Sequence, residues 1–176
     1  MSELLHWDYY RVLEDDFEKT NRYVEVDNRN AATYSIEFVH LLLAIGSEVD
    51  VVLKEMCERL DGTRGPTNID AYRPIVLAKY KHFFDARLFI PKYAMPVDPW
   101  GPWSIEKNPD WWHAYNNVKH RRNKCFPEAN LENVIYSLAG LYGAILHLYG
   151  FVNLNHAPRH LVVYEGGSFE DEATVK

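Results

Sequence analysis

His113, Asn116, Asn117 and His120 fall at offsets of three, four and seven, so on a helix they share one polar stripe opposite the apolar Trp112 and Val118 region. Lys119, Arg121, Arg122 and Lys124 crowd four positive charges around His120, in a chain whose formal net charge is −6. Such a cluster suits phosphate, because the cations favour an anion and the imidazole exchanges protons near neutral pH. The same pattern also describes a solvated helix end, and both readings stand at this point. Other chemistries fit less well. His113 and His120 lie two turns apart, about 10 Å along a helix axis, too far to share one metal ion. His156 and His160 flank Pro158 and lack a carboxylate or cysteine at supporting spacing, so no metal site is expected. Neither a nucleophile elbow nor a glycine-rich phosphate loop is present, and nothing calls for a cofactor.

The helix carrying this stripe has the best start signal in the chain. Asn108 can cap, Pro109 fits the first helical position, and Asp110 meets the positive end of the dipole, with the helix expected to run to about Arg122. Two longer helices must position it. From Tyr34 to Leu60, apolar residues at Tyr34, Phe38, Leu42, Ile45, Val49, Val52, Met56 and Leu60 recur at spacings of three and four. Glycines and a proline between Asp61 and Pro66 end it. From Leu131 to Tyr149, Leu131, Val134, Leu138, Leu141, Ile145 and Leu148 repeat the pattern and Gly150 supplies a stop. A further helix is expected over about Asp70 to Phe84, with Pro74 in its first turns, and a short one over Asp8 to Thr20.

Arg22 to Val26 and Leu161 to Tyr164 look extended, which allows a small pairing of the two ends of the chain. Ala139, Gly140, Gly143 and Ala144 lie mid-helix, where small side chains admit either a neighbouring helix of the same chain or a second copy. Pro91 to Trp112 holds five of the nine prolines and four of the five tryptophans. It reads as a loop folded over one end of the bundle, or one that offers Trp100 or Trp103 to a base or a proline-rich peptide.

The 176 residues, 47% hydrophobic and 25% charged, fit one globular domain over 1–176. The acidic balance excludes a generally basic, DNA-coating protein while leaving room for a local basic patch. No secretory signal is expected at the N-terminus, and Val134 to Tyr149 is too short to span a bilayer, so no membrane association is expected. Cys57 and Cys125 are expected to be reduced thiols in a cytoplasmic protein. Cys57 reads as packing, whereas Cys125, after the basic cluster, reads either as inert or as a low-pKa thiol.

At Tyr115, Asn116, Asn117, Val118, Lys119 and His120 the chain resembles the HEPN family, named for its occurrence in higher eukaryotes and prokaryotes and for nucleotide binding. The family pattern is a helix-borne Arg, then a polar residue, then a short spacer ending in His. Tyr115 stands where that pattern has Arg. The flanks are also similar: a long helix with Glu48, Asp50 and Lys54, a Trp-rich entry to the motif helix, and Ala129 to Tyr149 as the closing helix, together covering roughly Thr33 to Gly150. The resemblance implies an all-α bundle of four to five helices, commonly a homodimer, whose active members are metal-independent endoribonucleases of toxin or phage-defence type. Carried over by position, His120 would transfer protons and Asn116 would position the RNA 2′-hydroxyl or scissile phosphate. Tyr115 cannot supply the cation, a role open to Arg121 or Lys119. Lys119, Arg122 and Lys124 would bind RNA, and Glu48 and Asp50 would support the basic cluster or act as ordinary surface charges. The alternative is a noncatalytic HEPN-like module that holds a protein partner.

Overall fold

The computed structural model describes residues 4–61, 66–85, 87–150 and 163–166. His156, His160 and Leu161 lie outside the described residues. Five α-helices account for most of the described residues: α1 (Leu5–Thr20), α2 (Ile36–Asp61), α3 (Ile69–Lys79), α4 (Asp110–Cys125) and α5 (Leu131–Tyr149). Three short strands, β1 (Arg87–Ile90), β2 (Met95–Val97) and β3 (Val163–Gly166), form an antiparallel sheet in the order β2-β1-β3.

The two long helices form the centre. Ser35 accepts the Phe38 amide at 3.1 Å at the start of α2, and Asn130 accepts the Asn133 amide at 3.0 Å at the start of α5, each meeting a donor that a helix cannot satisfy itself. α5 stops at Gly150, whose φ of 74° suits a residue without Cβ. α2 and α5 pack on each other, as their apolar faces predict, and bury Phe38, Leu42, Ile45, Val49, Leu138, Leu141 and Ile145. α1 lies against both, and α4 does too, while α3 packs on α2.

The small residues of α5 are occupied within the chain. A Cβ at Gly140 would stand 2.9 Å from the Trp111 ring, and the Gly140 carbonyl accepts the Trp100 indole N–H at 3.0 Å. Trp100 and Trp103 are buried with Phe83 and Trp111 in one aromatic cluster. This removes the expectation that either indole is offered to a ligand and leaves no open small-residue face for a second copy. The Pro91–Trp112 segment is not a plain loop either, since it contains β2, two short 3₁₀ turns and the start of α4.

The ends of the chain do not pair with each other as expected. The Tyr23 and Val24 amides bond to the Thr20 carbonyl at 2.9 and 3.0 Å, so the chain after α1 continues turning. β3 instead joins β1, in the middle of the sequence. α3 also ends earlier than expected, at Lys79, followed by a separate 3₁₀ turn at Phe83–Asp85.

Candidate functional site at the end of α4

α4 changes character along its length. Trp111, Trp112, Ala114, Tyr115 and Val118 are buried, whereas every residue from Lys119 to Lys124 is exposed. The apolar half anchors the helix against α5 and α2, and the cationic half projects beyond that anchor. Asn108 does not cap α4; its amide donates to Asp70 at 2.9 Å and its oxygen accepts from Arg73 at 3.3 Å, so the cap position passes to Pro109. At Arg121 the backbone leaves the helical region, with φ −140° and ψ 39°, and the helix kinks.

The residues expected to act together have separate surroundings. Tyr115 is only 3% exposed and fills the space above Gly46, where any Cβ would run into its ring. Its hydroxyl accepts a hydrogen bond from Lys119 at 3.1 Å, and the Lys119 ammonium lies 5.2 Å from the ring centroid. Asn116 is turned back on its own helix, donating to the Trp112 carbonyl at 2.9 Å. Arg121 donates to Asn117 at 2.7 Å, and Asn117 donates to Glu128 at 2.8 Å, a chain that ties the kink to the turn after α4.

His120, Arg122 and Lys124 form no side-chain hydrogen bond or ion pair among the described residues. His120 and Arg122, with Lys119 and Asn123, rim an open depression of about 630 Å³ whose apolar lining is Leu43, Val118 and Phe126. Phe126 meets the half-exposed Tyr34 edge to face, with ring centroids 5.5 Å apart.

Glu48 and Asp50 do not belong to this cluster. Asp50 accepts the Tyr72 hydroxyl at 3.1 Å, and Glu48 faces α1. The low-pKa reading of Cys125 is also overturned: desolvation first, then the hydrogen bond and charge of Glu128, raise its thiol, outweighing Arg121 and Lys124. Cys57 is buried, and burial pushes its thiol up to about 11.

Glu48 instead belongs to a polar cluster that sequence reading missed. His6 of α1 lies with Nδ1 2.6 Å from Glu48 and Nε2 2.8 Å from Glu55, and Arg59 pairs with Glu55 from the next turn. Arg59 also donates to the Leu148 carbonyl at 3.2 Å, and the Tyr149 hydroxyl accepts the His6 amide at 3.3 Å. Burial pulls the His6 pKa down, but the hydrogen bonds and charges of the two carboxylates outweigh it and hold the pKa raised. The carboxylates face opposite ring nitrogens, so they do not converge on a point where an ion would sit. The cluster clasps α1, α2 and α5. A weak signal existed in the seven-residue spacing of Glu48 and Glu55 and the i, i+4 relation of Glu55 to Arg59, although neither points to residue 6.

A second buried histidine behaves oppositely. His147 donates from Nδ1 to the Gly143 carbonyl at 2.7 Å, among Tyr80 and Phe83, and burial depresses its pKa to about 4. Among the described residues no three His, Cys, Asp or Glu side chains gather as metal ligands, and no helix is long and apolar enough to cross a membrane. No protein-family model matches this chain, nor does any curated protein or solved structure.

Proposed function

We propose that this is an RNA-directed HEPN-like protein that engages RNA phosphates through the exposed end of α4, with His120 as the proton-transfer group of a metal-independent endoribonuclease. The observation that carries the reading is the open depression where His120 and Arg122, without a side-chain partner among the described residues, stand beside Lys119. Unpaired cations around an accessible imidazole favour a phosphodiester, and the apolar lining gives an attached base a surface to lie on. In the reaction a base removes the 2′-hydroxyl proton, the 2′-oxygen attacks phosphorus, and the 5′-oxygen leaves with a proton from an acid. One His120 supplies one of these two groups. A homodimer that brings two α4 ends to one cleft supplies both, with Arg122 or Lys119 stabilising the phosphorane charge in place of the family Arg.

The test is cleavage of a broad RNA panel in EDTA, beside an oligomer measurement. The expected outcome is cleavage that survives EDTA, leaves 2′,3′-cyclic phosphate ends and disappears in His120→Ala while the domain remains folded. Failure to bind or cut any RNA would overturn the reading.

Burial of Tyr115 at the position of the family Arg favours a second reading, a noncatalytic HEPN-like module that holds a protein partner. Wild-type protein that neither binds nor cleaves any RNA of a broad panel would favour it over the nuclease.

A further inference from the structure

Three parts of the chain meet around a recess of about 410 Å³: the turns after α1 (26–31), the connection from β1 into β2 (93–96) and the first turns of α5. Its lining combines buried Val26, Leu131 and Ile135 with half-buried Tyr93, Met95 and Tyr136. Walls from separate segments make a pocket rather than a furrow, and the volume suits a small molecule.

Charge decides which molecule. No lysine, arginine or histidine lines the recess, and its two acids differ. Asp27 is already paired, since Arg29 donates to its two oxygens at 2.8 and 3.0 Å and holds its carboxyl at about 2. Glu132 is exposed and makes no side-chain hydrogen bond or ion pair among the described residues. It stands four residues before Tyr136 on α5, the spacing that puts a carboxylate and a ring on one helix face. Burial first, then the charges of Glu132 and Asp98, push up the Tyr136 hydroxyl, so negative charge dominates this wall. Lys92 lies 5.0 Å from the Tyr93 ring centroid without lining the recess, which leaves Tyr136 as the lining ring with no cation over it among the described residues. The start of α5 keeps no donor for an anion. The Leu131 and Glu132 amides donate to the Thr33 and Ala31 carbonyls at 2.9 and 3.1 Å, and Asn130 takes the Asn133 amide.

We infer that this recess binds a small organic amine, with the ammonium between the Glu132 carboxylate and the Tyr136 ring and the hydrocarbon body on the apolar lining. The ammonium supplies the charge that Glu132 lacks and gains a cation–π contact from the ring. An anion would meet Asp27 and Glu132 with no base on the lining to offset them. A metal ion would find a single unpaired carboxylate among apolar walls, too few oxygens to replace its water. A neutral body of the same shape would leave Glu132 without a partner. None of the lining residues belongs to the α4 depression, so the inference does not rest on RNA binding.

The experiment titrates the full chain with hexylammonium, hexan-1-ol and hexanoate at neutral pH, one hydrocarbon body carrying positive, no and negative charge, and follows NMR shifts. Hexylammonium is expected to bind about tenfold or more tightly than hexan-1-ol, and hexanoate most weakly, with shift changes confined to 26–31, 93–96 and 131–136. Glu132→Gln should bring hexylammonium down to the affinity of hexan-1-ol. Tyr136→Leu, the second variant, should weaken hexylammonium about threefold more than it weakens the alcohol. Glu37→Gln removes an acid that does not line the recess and should change neither. Absence of saturable hexylammonium binding, equal affinity for amine and alcohol, wild-type affinity in folded Glu132→Gln, or an equal loss in Glu37→Gln would overturn the inference. So would an N-acetyl-lysine amide that binds more tightly than hexylammonium, since the ammonium would then come from a protein side chain.

Discussion

The His6 clasp and the end of α4 both place histidine beside charged residues, yet they are built in opposite ways. At the clasp each charge meets its complement, and the imidazole is enclosed between two carboxylates from α2. At the end of α4, His120, Arg122 and Lys124 meet no carboxylate among the described residues, and they stand in the open. A satisfied cluster does its work holding helices together, whereas an unsatisfied one has its attraction left over for something outside the chain. Residue type alone does not separate the two, because both contain histidine, arginine and a nearby acid.

The strongest way to break this contrast is to carry a charge from one half of α4 into the other. Tyr115→Arg would place a guanidinium at a position closed against Gly46, and is expected to cost about 3 to 5 kcal/mol in urea unfolding as an uncompensated buried charge. A stable, more active variant would show that the buried half of α4 is open to function after all. Glu48→Ala comes next, at about 3 kcal/mol, because it removes one partner of a buried ion pair.

The pH dependence sharpens the comparison. The folded pKa of His6 is raised, so its contribution is complete below the unfolded value and is lost as pH rises through the folded pKa. Burial raises the Glu55 carboxyl, but the hydrogen bonds and charges of His6 and Arg59 leave its pKa lowered. Its contribution is present above the ordinary carboxylate range and is lost as pH falls through the folded pKa. The clasp is therefore strongest between those limits. His147 is depressed to about 4, so the unfolded chain binds its proton first and stability falls as pH drops from about 6.5 towards that value. Unfolding midpoints across pH should lose their alkaline slope in His6→Gln and part of their acid slope in His147→Asn. The smallest effect is expected at Lys124→Ala, with stability changed by less than about 0.5 kcal/mol and the salt dependence of RNA binding reduced by about one phosphate contact.

Legibility from sequence follows how local each cause is. α5 runs from Leu131 to Tyr149 as its periodicity predicts, because Asn130 and Gly150 are local start and stop signals that packing leaves in place. The bounds of α2 move by only a residue or two for the same reason. Asn108 fails as a cap since Asp70 and Arg73, on another helix, compete for its side chain. The sheet was hidden because β2 holds Pro96 and β1 finds β3 far along the chain. No glycine or proline marks the kink at Arg121. In the candidate site, the cationic stripe was readable from residue types, but the burial of Tyr115 and the diversion of Glu48 to His6 depend on how α4 and α1 meet α2.

The central position of α5 has a consequence for biosynthesis. α1, α2 and α4 all rest on a helix that the ribosome makes after them, and the His6 amide reaches Tyr149 across 143 residues. Their apolar faces emerge before their cover exists, so no stable half-domain can form early and productive collapse waits for translation to pass residue 149. Nascent chains halted before Leu131 are expected to be protease-sensitive and chaperone-bound, and those released after Tyr149 to become resistant in a single step.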